Sequence, residues 1–149
     1  MYMTEEKKRF AVYKPRKTGN GAAVQFDFNE KIGAVFIEAS SQNGEQSFDW
    51  ANKIVFKLSM NDCAKIIAVI ENRLKNADLF HDISKSKHVT ETDVKNTTVS
   101  ISKGDYGYFF KISRQKQDSS LQTIQTSLSE DEAVILRILL SKAIEKTYW

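Results

Sequence analysis

One cysteine, one proline and two histidines among 149 residues leave little material for a disulfide framework, a proline-rich linker or a metal site with several protein ligands. Cys63 has no partner for an internal disulfide, and its place among Ala64, Ile66 and Ile67 predicts a packed core thiol. The glycines offer no phosphate cradle. Gly19, Gly21 and Gly104 fall in expected reversals, and none stands between a strand and a helix as the P-loop and dinucleotide motifs require. No apolar run approaches the length of a bilayer-crossing helix. The opening residues, Met1-Tyr2-Met3-Thr4-Glu5-Glu6-Lys7-Lys8, carry acids and no apolar signal core, which argues against secretory and organellar targeting. These absences predict a soluble cytoplasmic protein with no cofactor, no metal and no membrane partner.

Catalytic chemistry is as thinly represented. His81-Asp82 could supply half of a triad, and with His88 could suggest a metal, but adjacent strand residues point to opposite faces. The run Glu130-Asp131-Glu132 falls where a helix is expected to begin, and the helix dipole favours negative charge there. No catalytic residue is assigned, and a non-enzymatic role is expected.

What the chain does have is a hydrophobic fraction of 41% beside 28% charged residues, ordinary for a globular protein that builds one core. Apolar residues first recur with the strand period, as in Val24, Phe26 and Phe28, or Ile54, Phe56 and Leu58. Four strands are expected near residues 9–14, 22–30, 34–41 and 53–58. Asn20-Gly21, Asn29–Gly33 and Asn43-Gly44 mark the reversals, because Asn and Gly tolerate positive φ. The period then changes. From Asn61 to Lys75 the residues Cys63, Ile66, Ile67, Ile70 and Leu74 line one helical face. Ser59 and Asp62 read as a capping box at its start, stapled by Leu58 and Cys63.

The second half repeats the pattern. Strand-like runs near 79–85, 97–103, 106–114 and 121–127 lead to Ser129 and Glu132, a second capping box 70 residues after the first. The final helix, about Glu130 to Lys146, carries Val134, Ile135, Ile138, Leu139, Leu140 and Ile144, too broad an apolar surface for contact with one sheet alone. Tyr148 and Trp149 beyond it are expected to dock or to pack in an oligomer. The polar stretch from Lys85 to Asn96 predicts an exposed loop. The expected class is α+β: two antiparallel four-stranded sheets, each followed by a helix, in one domain over 9–149 behind a tail of residues 1–8.

A net charge of +3 is too small to indicate a nucleic-acid partner by itself, so the distribution of charge carries the argument. Cations cluster at Lys14-Pro15-Arg16-Lys17 and recur as Lys53, Lys57, Lys111, Arg114 and Lys116. The aromatics Tyr13, Trp50, Tyr106, Tyr108 and Phe109 interleave with them. Cations for the phosphates and flat side chains for the bases are the combination that single-strand binding uses. Gln25, Ser40 and Gln42 could add hydrogen bonds to bases. Alternation places Ile54, Phe56 and Leu58 inward with Lys53, Val55 and Lys57 outward. It likewise places Tyr108, Phe110 and Ile112 inward with Phe109, Lys111 and Ser113 outward. The candidate nucleic-acid-binding residues are Lys14, Arg16, Lys17, Gln25, Trp50, Lys53, Lys57, Phe109, Lys111 and Arg114. The same lysines would also serve as a solvated sheet face that resists aggregation.

Short motifs narrow the choice. Phe48-Asp49-Trp50-Ala51-Asn52-Lys53 resembles the tyrosine-aspartate-tryptophan segment that enters the fourth strand of the Whirly single-stranded-DNA-binding proteins, and Phe56-Lys57-Leu58-Ser59 resembles that strand's exit. Leu79-Phe80-His81-Asp82 is similar to the segment after the family's first helix. Glu132-Ala133-Val134-Ile135-Leu136 and the closing Trp149 are similar to its last helix. The family's compact lysine-glycine-lysine-alanine-alanine-leucine element appears here only as Tyr13-Lys14, an inserted Pro-Arg-Lys-Thr-Gly-Asn, and Gly21-Ala22-Ala23. The resemblance implies a fold shared in outline with the positive-cofactor-four transcriptional coactivators. It also implies a homotetramer packed through its helices, DNA running along sheet edges between protomers, and structural roles for His81 and Asp82. Without an organellar extension, a bacterial or phage member is expected.

The expected function is sequence-tolerant single-stranded-DNA binding in replication, recombination, repair or transcription. RNA binding or annealing on the same fold is one alternative, and an oligomeric interaction module without nucleic acid is another.

Overall fold

Two polar caps decide where sheet gives way to helix. Ser59 Oγ accepts from the Asp62 N–H while Asp62 Oδ2 accepts from the Ser59 N–H at 3.0 Å, and Ser129 and Glu132 repeat the arrangement. Each reciprocal pair satisfies donors that a helix start leaves orphaned, a contribution of about 1 kcal/mol. Both boxes stand where the sequence pattern puts them.

The computed structural model describes residues 9–82 and 94–149. Strands β1 (Phe10–Lys14), β2 (Ala22–Asn29), β3 (Ala34–Ser41) and β4 (Ile54–Leu58) form one antiparallel sheet in chain order, with a single 3-10 turn, Trp50–Asn52, before β4. Helix α1 (Met60–Ile70) follows. Strands β5 (Asn76–Asp82), β6 (Val94–Lys103), β7 (Tyr108–Lys116) and β8 (Leu121–Leu128) form the second sheet, again in chain order, and helix α2 (Glu130–Tyr148) closes the chain. The expected fold class is therefore the observed one.

One hydrophobic core joins all these layers. Val24, Ile37 and Phe56 of the first sheet share it with Ile101, Phe110 and Ile112 of the second, Ile66 of α1 and Leu136 and Leu140 of α2. Strand β4 buries alternate residues, because successive side chains leave a pleated strand on opposite faces, whereas β2 is covered on both faces and buries Ala22 to Asp27 without a break. The edge strand β8 runs past the ends of β1, β2 and β3, and its Gln122 donates to the Asn52 carbonyl at 3.0 Å beside β4.

Several boundaries differ from expectation. Helix α1 stops at Ile70, not Lys75, because Asn72 turns to a left-handed φ of 62° and the N–H groups of Arg73 and Leu74 both fold back onto the Ala68 carbonyl. Leu74 thus leaves the apolar face and is exposed. Strand β5 begins at Asn76, and Val94, Lys95 and Asn96, expected in a loop, already belong to β6; the rest of that loop, with His88, lies outside the described residues. The first reversal is wider than Asn20-Gly21, with Gly19 at a φ of 81°.

Candidate nucleic-acid interface

The outward face of the second sheet is a flat polar platform. Register aligns Phe80, Thr98, Ser113 and Thr123 in one row across its four strands. Asp78, Ser100, Lys111 and Gln125 form the next, and Asn76, Ser102, Phe109 and Ser127 a third. Phe80 and Phe109 stand 62% and 64% exposed on either side of the row that carries Lys111. Such exposure of two phenyl rings on a hydroxyl-lined sheet leaves stacking surface open to a planar ligand. Phe109 also packs closely on the Gly104 backbone: a Cβ added at Gly104 would come within 2.6 Å of its ring.

From this platform two clefts follow β8, and a third continues from the second onto the inserted loop. The first, about 520 Å³, is lined by Lys14, the Gly104–Phe109 turn and Ser127. The second, about 310 Å³, shares Lys14 and Ser127 and adds Tyr13, Arg16 and Gln125. The third, about 650 Å³, shares Pro15 and Arg16 and lies between the inserted loop with Lys17 and the turn from Gln42 to Gln46. Lys14, Arg16 and Lys17 thus line one track with the exposed rings of Tyr13, Tyr106 and Phe109.

Other candidates stand elsewhere. Lys53, Lys57 and Val55 face outward on the first sheet as alternation predicts, but Lys53 Nζ is 3.2 Å from Glu38 Oε2. Gln25 is buried and donates to the same Glu38 oxygen at 2.7 Å, so it is not available to bases. Ser40 is fully buried. Arg114 lies on the core side of β7, 8% exposed, where its guanidinium donates to the Lys53 carbonyl and joins the two sheets instead of meeting solvent. Ser113, outward as expected, is nevertheless closed in beside Thr123 at 3.1 Å. Trp50 is half-buried at the start of its 3-10 turn.

A comparison with protein-family models matches residues 10–139 to the Whirly transcription factor family. The chain belongs to the Whirly family. Among solved structures it is similar to the plant transcriptional regulator PBF-2, with a TM-score of 0.76 and 20% identity over 97% of this chain and 84% of that one. It is similar to WHY1 from Arabidopsis thaliana at the same TM-score, with 19% identity over 99% of this chain and 94% of that one. A guideRNA-binding protein complex bound to a gRNA shares the fold at a TM-score of 0.66 and 12% identity, over 95% and 92% of the two chains. No curated protein sequence matches. Nothing in these likenesses supports the bacterial or phage origin expected from the N-terminus.

His81, from the Whirly-like segment after α1, forms a tight structural pair with the capping residue Asp62. His81 stacks on Phe56 at 4.1 Å between ring centroids and sets Nε2 3.0 Å from Asp62 Oδ2, the carboxylate that also caps α1. Burial pushes that carboxyl up, but the bonds from His81 and Ser59 outweigh it and hold Asp62 below its ordinary value. Among the described residues no three His, Cys, Asp or Glu side chains converge as a metal site.

Phe80 is the binding candidate that strand-by-strand reading passes over. Its alternation with Leu79 and His81 was visible in the sequence, but only the pairing of β5 with β6 brings it into the row of Thr98 and Ser113. Gln42, expected to offer hydrogen bonds to bases, is instead buried with its amide engaged by backbone groups.

Proposed function

We propose that this Whirly chain is a sequence-tolerant single-stranded-DNA-binding protein, serving unpaired strands in replication, recombination, repair or transcription. The observation that carries the reading is the continuity of the phenylalanine platform with the cationic track along β8. Phe80 and Phe109 offer stacking faces, Lys111 stands between them, Lys14 and Arg16 line the clefts beside β8, and Lys17 lines the cleft that follows. Stacking is indifferent to base identity, and a stacked base must be unpaired, so such a surface selects single strands with little sequence preference. On the first sheet Glu38 engages both Lys53 and Gln25, whereas on the track Glu132 engages Lys14 and leaves Arg16 and Lys17 exposed.

Assembly as a homotetramer belongs to the same proposal. Val134, Ile135, Ile138 and Leu139 form an exposed apolar stripe on α2 opposite the buried Ala133, Leu136 and Leu140. An apolar stripe of this kind is a surface for another subunit.

Fluorescence anisotropy with labelled oligonucleotides tests the reading. Oligothymidylate should bind at low salt, weaken steeply as salt rises and outcompete duplex of the same length. Equal affinity for duplex, or no binding at low salt, would sink it. A matched RNA oligomer is the companion measurement, since the fold is shared with a guideRNA-binding protein and stacking does not exclude a 2′-hydroxyl. RNA binding tighter than DNA would transfer the proposal to RNA.

A further inference from the structure

Gln42 follows the last residue of β3, 8% exposed, and its side-chain amide makes five hydrogen bonds, all to backbone groups. Its Oε1 accepts from the Arg16 N–H at 2.9 Å and from the Gly21 N–H at 2.8 Å. Its two Nε2 hydrogens are shared among the carbonyls of Arg16, Gly44 and Glu45 at 3.1, 2.8 and 3.0 Å. The amide therefore grips both backbone groups of Arg16 as a neighbouring strand would. In the same position it ties the inserted loop to the turn after β3. Gly21 makes this approach possible, since a Cβ there would lie 2.2 Å from the Lys14 carbonyl oxygen and 2.6 Å from Gln42 Oε1.

The clamped segment carries two exposed cations, Arg16 and Lys17, on the rim of the third cleft. The Gly19 N–H closes the turn onto the Arg16 carbonyl at 2.9 Å, so the backbone of Arg16 is fixed on every side while its side chain is exposed to solvent. We infer that Gln42 is a positioning residue for nucleic-acid binding, holding the inserted Arg16-Lys17 turn where its cations meet the phosphates of a strand lying along β8. The inference rests on the single-strand reading above. A loop of this length without the clamp would have to be ordered at each binding event, and that ordering cost would subtract from affinity.

A double-mutant cycle on the full chain tests it, with oligothymidylate as the probe and thermal melting as the control for folding. Gln42→Met keeps the volume and removes every side-chain bond. It should weaken binding by about fivefold and flatten the salt dependence toward that of the Arg16→Ala/Lys17→Ala variant. Added to that double variant, Gln42→Met should change affinity by no more than about 1.5-fold. Equal losses in the two backgrounds, or none in the first, would overturn the positioning role. A wild-type protein that fails to bind at all would instead overturn the single-strand reading. Hydrogen exchange in the wild type decides the matter even if Gln42→Met does not fold. The Arg16 and Gly21 amides should be protected relative to Thr18 in the same loop, and exchange as fast as Thr18 would refute the clamp.

Discussion

Lys14 Nζ stands 2.7 Å from Glu132 Oε1, and that same carboxylate oxygen accepts from the Ser129 N–H at 2.9 Å. One oxygen thus caps α2 and neutralises a cation at the junction of two clefts. Glu132→Gln should keep the cap and release the lysine. The expected result is a stability change within about 1 kcal/mol, because the pair is partly solvated. Oligonucleotide binding should become tighter, with a salt dependence steeper by about 0.7 in log–log slope. Unchanged affinity and slope would remove Lys14 from the interface.

Stacking makes a different prediction. Phe80→Ala and Phe109→Ala should each weaken oligothymidylate binding by roughly tenfold, as loss of one base–aromatic stack does. Because both rings are exposed, melting temperatures should scarcely move. Intact binding in the double variant would place the bases elsewhere.

Acid should unfold the protein through its two capping carboxylates. Burial pushes Asp62 and Glu132 up, but hydrogen bonds from His81 and Ser59 to the one, and from Lys14 and Ser129 to the other, leave both below their ordinary values. A carboxyl lowered in the folded state contributes stability that is complete above its unfolded pKa, about 4, and is lost as pH falls through the folded value. Melting temperature, followed by circular dichroism, should therefore be flat above about pH 5.5 and fall below about pH 4. Asp62→Asn should flatten that fall; an unaltered profile would show that the cap carries no acid dependence.

Cys63 should be chemically silent in the native protein. It is fully buried, and desolvation together with the neighbouring Asp62 charge pushes its thiol up to about 12. Iodoacetamide at pH 8 should label it only after denaturation. Rapid labelling of the folded chain would mean that α1 opens readily.

The exposed stripe of α2 gives the test of assembly. Ile138 is 52% exposed in the single chain, and Ile138→Glu should reduce the mass measured by light scattering from tetramer toward monomer while leaving helix content unchanged. Tyr148 and Trp149, 69% and 106% exposed in the single chain, should lose their solvent exposure in the assembled form, seen as a blue-shifted tryptophan emission. A wild-type chain that is monomeric at micromolar concentration would refute the assembly.

Ser59, Asp62, Ser129 and Glu132 show which features local sequence determines. Each capping box closes within four residues, and the two boxes mark the halves of the fold before any packing is known. Strand period likewise sorted Phe56 from Lys57 and Phe110 from Lys111, because alternation is a property of the single strand. The end of α1 escaped the same reasoning. Apolar periodicity continues to Leu74, whereas the left-handed turn at Asn72 ends the helix at Ile70.

Tertiary structure alone decided which polar side chains meet solvent. Gln25 and Arg114 have the composition of binding residues, yet Glu38 takes the first, and a carbonyl 61 residues distant takes the second. Gln42 is committed to a loop 26 residues away, and Phe80 enters the platform only when β5 pairs with β6. Capping and alternation act over a few consecutive residues and are written in the chain order. A polar group's partner is set by whatever the fold brings within 3 Å, and sequence separation does not encode that.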